Sequence, residues 1–211
     1  MSRTDVMSLA EAERQDLADF LDTLATDDWQ APTLCSDWTA HQVVAHVISF
    51  EELSRPQLVA RFVKGWLGPG NVNSVGVREY VTRSPSELIA LVRAYALPRG
   101  LTAGFGGAIA LTDGLIHHQD IRRSLKQPRS IPPERLVAAL QMAVRAPTLP
   151  ARRNTRGLRL VAIDIDWDFG QGPEVTGSGE ALLMAIAGRP AALADLHGPG
   201  LDTLAARLPS P

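Results

Sequence analysis

The sequence predicts a mainly α fold: a helical bundle over residues 1–150, then a small α+β domain over residues 151–211. Two observations carry this. Before residue 150, apolar residues recur at three- and four-residue spacing, and the segments that hold them open on helix-start signals. After residue 150 the pattern changes to an alternating stretch and clustered turn residues.

The elements follow in order. Ser8 and Glu11 form a capping-box pattern, and Leu17, Phe20, Leu21 and Leu24 recur behind it at helical spacing. The loop DDWQAPTLCSDW leads to a second capping box, Thr39 to Gln42, which opens VVAHVISFEEL and ends before Pro56. QLVARFVKGWLG reads as either a short helix or a lid. Ser84, Pro85 and Glu87 supply an N-cap, a first-turn proline and a first-turn acid for ELIALVRAYAL. A fourth helix is expected over 107–125, and a fifth from Pro132 through RLVAALQMAV. RRNTRG reads as a polar linker. LRLVAIDIDWDFG alternates like one strand, with Val161, Ile163, Ile165 and Trp167 on one side and Asp164, Asp166 and Asp168 on the other. A turn-rich stretch, the short amphipathic helix EALLMAIAG and the segment LDTLAARL complete the chain.

Composition narrows the function. Apolar residues make up 45% of 211 positions, ample for a packed core. A formal net charge of -2, without a basic stripe, gives no footprint for nucleic acid or an anionic membrane. The only cysteine, Cys35, allows no intramolecular disulfide and fits a reducing compartment. The N-terminus lacks the apolar core of a signal peptide, and no run approaches the length of a membrane span. The expectation is a soluble cytoplasmic protein that binds neither nucleic acid nor membrane, with a homodimer left open.

DGLIHHQDIRR, residues 113–123, holds the candidate chemistry. Asp113 and His117 are four apart and stack on one helical face, while His118 turns about 100° away. His46 sits where the apolar pattern of its own helix points inward. His41 lies about 140° from it and cannot share an ion with it. An inward histidine on one helix and an acid–histidine pair on another can supply three ligands to a metal. The same residues equally describe a hydrogen-bonded core histidine and a surface pair. Cys35 precedes a helix start but has no identifiable base. Trp38 is expected to pin its loop to the core. The aspartates at 164, 166 and 168 read as a solvent-facing strand side rather than a calcium loop. Arg189 complements the dipole at a helix end, with anion binding a more speculative role.

Three stretches resemble one family. TLCSDWTAHQVVAHVISFE, DGLIHHQDIRRSL and GPEVTGSGEALLMAIAGRP, in that order, are similar to motifs of the mycothiol-dependent maleylpyruvate isomerase family, a branch of the DinB-like metal-binding bundles. The resemblance implies a DinB-like four-helix bundle with a small C-terminal α/β domain. It implies a divalent metal, with zinc expected, held by His46, Asp113 and His117. Asp120 is then a support for a ligand imidazole, and Arg189 a speculative contact for substrate or thiol. The family has glutamate where this chain has Asp113, one methylene shorter. Cys35 is structural by the same comparison. The implied reaction is an isomerisation or transfer in which mycothiol, or a similar small thiol, adds to an electrophile. Two alternatives remain open at this point: a non-catalytic metal-binding or stress-associated protein, and a metal-dependent hydrolase.

Overall fold

A computed structural model describes residues 5–35, 38–69 and 71–209. It is mainly α-helical and forms two compact units, residues 1–128 and 129–211.

The first unit is a four-helix bundle with a helical hairpin added to it. α1 (Val6–Leu21) packs on α5 (Pro85–Ala94) and α6 (Ala108–Ser124), and α2 (Ala40–Ile48) packs on the same two. α3 (Arg55–Leu67) and α4 (Val72–Tyr80) pack together, with α4 lying on α2. The core between α1, α2 and α5 is built from Leu17, Phe20, Leu21, Val43, Val44, Val47, Ile48, Leu88 and Val92. Removing that apolar surface from water is the main force holding the bundle together.

Local chemistry sets the helix starts. The Thr39 hydroxyl accepts from the Gln42 amide, and the Gln42 side chain accepts from the Thr39 amide at 2.9 Å, the reciprocal cap expected from sequence. Ser84 and Glu87 cap α5 in the same way. The start of α1 differs from expectation. Asp5, not Ser8, is its N-cap, accepting from the Met7 amide at 3.0 Å, and the Ser8 hydroxyl donates to Asp5. The carboxylate is a charge-assisted acceptor and begins the helix nearly a turn earlier.

QLVARFVKGWLG proves to be most of α3, while α4 carries no recognisable signal in the sequence. α3 turns Val59, Phe62, Val63, Trp66 and Leu67 outward, so its exposed face is the apolar one. Its inner anchor is polar: buried Arg61 donates to the Ser49 carbonyl, pairs with Glu79 and lies over the Phe50 ring. This inversion of the usual pattern hides the helix pair from periodicity.

Gly76 lets α4 approach α2. A Cβ placed there would lie 2.5 Å from the Ser49 hydroxyl and 3.2 Å from Arg61. Alanine normally favours a helix by up to ~1 kcal/mol over glycine. Overpacking should win here, and Gly76→Ala is expected to cost about 1–3 kcal/mol in chemical denaturation. A gain in stability would show that the helices have room to part.

The second unit is built on a four-stranded sheet in the order β2-β1-β3-β4. β1 (Arg159–Ala162) pairs antiparallel with β2 (Asp168–Gly170) and parallel with β3 (Glu174–Gly177), which pairs antiparallel with β4 (Leu196–His197). α9 (Gly179–Ile186) covers β1 and β3 and is itself packed by α7 (Pro133–Ala143) and α8 (Ala151–Thr155). α10 (Leu201–Ala205) closes the chain.

α7 packs on α9 and falls in the second compact unit, which begins at residue 129. Two sequence expectations change in this region. The polar RRNTRG stretch includes most of the short helix α8. The alternating LRLVAIDIDWDFG is not one strand but the β1–β2 hairpin, with residues 163–166 in its bend. Ile163 is therefore 73% exposed, and Asp164 accepts from the Gly179 amide at 2.7 Å. Alternation over a tight hairpin mimics a continuous strand when polar turn residues fall in phase.

Candidate metal centre

Two imidazoles and a carboxylate meet inside the first unit. His46 comes from the last turn of α2, and Asp113 and His117 from successive turns of α6. His46 Nε2 lies 3.4 Å and His117 Nε2 3.6 Å from the same oxygen, Asp113 Oδ1. Ligand arms of about 2.0–2.1 Å at tetrahedral angles separate neighbouring ligand atoms by about 3.3–3.4 Å. The three atoms thus have the spacing and chemistry of three corners of a metal site, and all lie within 4.8 Å of one another.

The surroundings hold the rings in place. Both histidines are buried, whereas the Asp113 side chain is 38% exposed, so the centre opens to solvent on the carboxylate side. Trp38 packs against the His46 ring at 5.1 Å and the His117 ring at 6.4 Å, and the edge of Phe50 contacts His46. The expected pin between loop and core therefore also forms a wall of the site. His117 Nδ1 lies 3.0 Å from fully buried Asp120. Donation of the Nδ1 proton to that carboxylate fixes the tautomer in which the neutral, metal-binding ring has its Nε2 lone pair on the Asp113 side. Among the described residues, buried His46 Nδ1 has no hydrogen-bond partner, whereas His117 has a carboxylate fixing its tautomer.

Electrostatics follow this arrangement. Burial disfavours charge on His117, but Asp113, then Asp120 and a hydrogen bond with Cys35, outweigh it and push the imidazole up to about 10. Burial works against ionised Asp113 too, yet His46 and His117 hold its carboxyl below the usual range. In the metal-free protein the His117 contribution is complete below its ordinary value of 6.5 and is lost as pH rises through about 10. The Asp113 contribution is complete above 3.8 and disappears in acid. Metal-free protein should therefore lose thermal stability between about pH 7 and 10. A melting temperature that rises over that interval would contradict the ion-paired state.

Other residues of the motif separate from this centre. His118 turns away as expected, but it is not incidental: it is fully buried, with Nδ1 2.9 Å from Glu13 Oε1 and Nε2 accepting from Arg122 Nε at 2.8 Å. Arg122 in turn lies over the Phe20 ring. His41 contacts the Arg83 carbonyl at 2.8 Å and the edge of Trp29, apart from His46. Cys35 is a neighbour of the site that sequence reasoning misses: its thiol lies near enough to His117 to favour the charged imidazole, and Cys35, His117 and Asp120 form a second group whose ligand atoms lie within 4.8 Å of one another. Only the fold brings that loop to α6, where the Leu34 amide donates to the Asp120 carbonyl. Ser36 and Asp37 lie outside the described residues. In the second unit, Asp168 pairs with Arg159, and Arg189 donates to the Ala187 carbonyl at the end of α9.

A helical bundle presenting two buried histidines and a half-open carboxylate on adjacent helices defines a candidate metal-binding protein. The chain belongs to the mycothiol maleylpyruvate isomerase N-terminal domain family, whose model matches residues 10–146. It is also similar to two crystal structures. One is the mycothiol-dependent maleylpyruvate isomerase carrying a histidine-to-alanine mutation: 12% identity, 92% of this chain, 91% of that chain, TM-score 0.52. The other is the mycothiol-dependent maleylpyruvate isomerase itself: 14% identity, 87% of this chain, 88% of that chain, TM-score 0.50. At these identities the likeness is one of fold. No curated protein matches significantly.

Proposed function

We propose that this chain is a thiol-dependent isomerase or transferase whose divalent metal, zinc being the expected ion, is held by His46, Asp113 and His117. The observation that supports this most is the convergence of two Nε2 atoms on Asp113 Oδ1 at a position open on one side. Membership in a family named for mycothiol and maleylpyruvate isomerase directs the reading to a small thiol as co-substrate. A divalent cation bound there supplies a Lewis-acidic position that lowers the pKa of a coordinated thiol.

The residues supply positioning. Asp120 keeps the His117 proton on Nδ1 and so keeps Nε2 available. Asp113 gives one negative charge, so with two neutral imidazoles the centre keeps a net positive charge for an incoming thiolate. Trp38 and Phe50 exclude water from the His46 side. The thiolate forms a C–S bond to an activated double bond as the π pair moves onto the activating carbonyl to give an enolate. In an isomerisation the enolate re-forms the double bond after rotation and expels the thiolate; in a transfer the enolate carbon takes up the proton that the thiol gave up. A reaction that depends on a reduced thiol fits a reducing compartment, the cytoplasm. No helix among the described residues is long and apolar enough to cross a membrane.

The experiment is turnover of maleylpyruvate and of a simple electrophile, each with and without mycothiol. Activity that needs the thiol is expected. Turnover indifferent to thiol would replace this reading with a hydrolase, and no turnover by metal-loaded protein would favour a binding protein. Asp120→Asn should weaken metal binding by about 10–100-fold in chelator competition, because the amide no longer fixes the tautomer by charge. Unchanged affinity would remove Asp120 from the site.

A further inference from the structure

Beside α8 the second unit has a cavity of about 710 Å³ lined by Leu149, Pro150, Arg152, Arg153, Arg156 and Arg207. Four of the six lining residues are arginines and none is acidic. Among the described residues, no carboxylate pairs with any of the four. Elsewhere the fold neutralises such groups: Arg159 pairs with Asp168 and Glu174, and Arg93 with Asp19 and Asp22. The sequence shows the same local bias, since PTLPARRNTRG carries three arginines and no acid in a chain of net charge -2.

Two of these guanidinium groups are held by backbone. Arg207 Nη1 donates to the Asn154 and Arg156 carbonyls at 3.0 and 2.7 Å, and Arg153 donates to the Arg207 carbonyl. Arg207 thereby satisfies carbonyls at the C-terminal end of α8 through one nitrogen, which leaves its Nε and Nη2 available to a ligand. The hydrogen bonds cross between α8 and the end of α10, so the charges gather through tertiary structure and not merely along one solvated helix. Arg152 and Arg156 are exposed, and their side chains make no hydrogen bond among the described residues. Like charges facing one concavity repel, and an anion with several charges relieves that repulsion while filling the guanidinium forks bidentately. The volume falls in the range of small-molecule sites, and the charge is confined to a concavity instead of running along a face as in nucleic-acid binders.

We propose that this cavity is a binding site for a compact polyphosphate-bearing small molecule, separate from the histidine centre. The probe is inorganic tripolyphosphate, titrated calorimetrically into the intact protein in about 50 mM salt, where surface charge is screened only beyond about 14 Å. Expected is saturable binding that weakens at least about tenfold in Arg152→Gln/Arg156→Gln. Both substitutions are at exposed side chains without hydrogen bonds, and circular dichroism checks that the variant folds. His117→Ala should leave binding unchanged, which separates the cavity from chelation at the metal centre. Arg152→Lys/Arg156→Lys should recover part of the affinity, because charge remains while the fork is lost. No binding at about 1 mM probe, a constant unaffected by the glutamine pair, citrate binding as tightly as tripolyphosphate, or binding to duplex DNA alone would each overturn the proposal.

Discussion

Glu51→Ala is expected to destabilise the protein by about 3–5 kcal/mol, measured by chemical denaturation at neutral pH. Glu51 and Arg14 are both buried and ion-paired. The same carboxylate accepts from the Thr102 hydroxyl and from the Arg99 amide at 2.9 Å. Arg14 also donates to the Tyr95 carbonyl at 2.7 Å. One carboxylate therefore ties α1, the end of α2 and the chain before α6 together. Truncation leaves a guanidinium without a counter-charge in the interior, and that desolvation penalty outweighs the packing of the short aliphatic stem that is removed. Arg14→Met/Glu51→Gln removes both charges and keeps an acceptor for Thr102 and Arg99. It should cost less than Glu51→Ala alone. A Glu51→Ala penalty below about 1 kcal/mol would mean that water enters to solvate Arg14.

His117→Ala is the second large effect, and it falls on the proposed chemistry. The substitution removes the proposed Nε2 ligand next to Asp113 and leaves Asp120 without its imidazole. Metal affinity should fall by about 100-fold or more, beyond what loss of a supporting carboxylate alone produces. Thiol-dependent turnover should fall with it, and the metal-free protein should lose stability too, because Asp113 and buried Asp120 lose the imidazole that pairs with them. Retained activity with unbound metal would show that the cluster is structural.

Much of the bundle is legible in the sequence because its signals are local. Capping at Thr39 and Ser84, prolines near helix ends and three-four spacing locate α2, α5 and α6 closely, and α7 of the second unit as well. The inward placement of His46 and the stacking of Asp113 on His117 also follow from helical geometry. The illegible parts depend on tertiary contacts. α3 buries Arg61 and exposes Trp66, so its apolar stripe points the wrong way for a periodicity argument. His118 looks redundant in the sequence because Glu13, its partner, is on another helix. Cys35 looks isolated for the same reason, since its loop reaches His117 only in the folded bundle. The aspartates of the β1–β2 hairpin alternate in sequence, yet the chain reverses direction between them.

His117 belongs to two groups with ligand spacing, one with His46 and Asp113 and one with Cys35 and Asp120. Zinc-edge X-ray absorption on metal-loaded protein free of small thiols separates them, because sulfur sits at about 2.3 Å and imidazole nitrogen at about 2.0–2.1 Å. The expected spectrum has a nitrogen and oxygen shell only, is unchanged in Cys35→Ser, and is lost with the metal in His117→Ala. A sulfur shell that disappears in Cys35→Ser would contradict the assignment of His46, Asp113 and His117 as the metal centre.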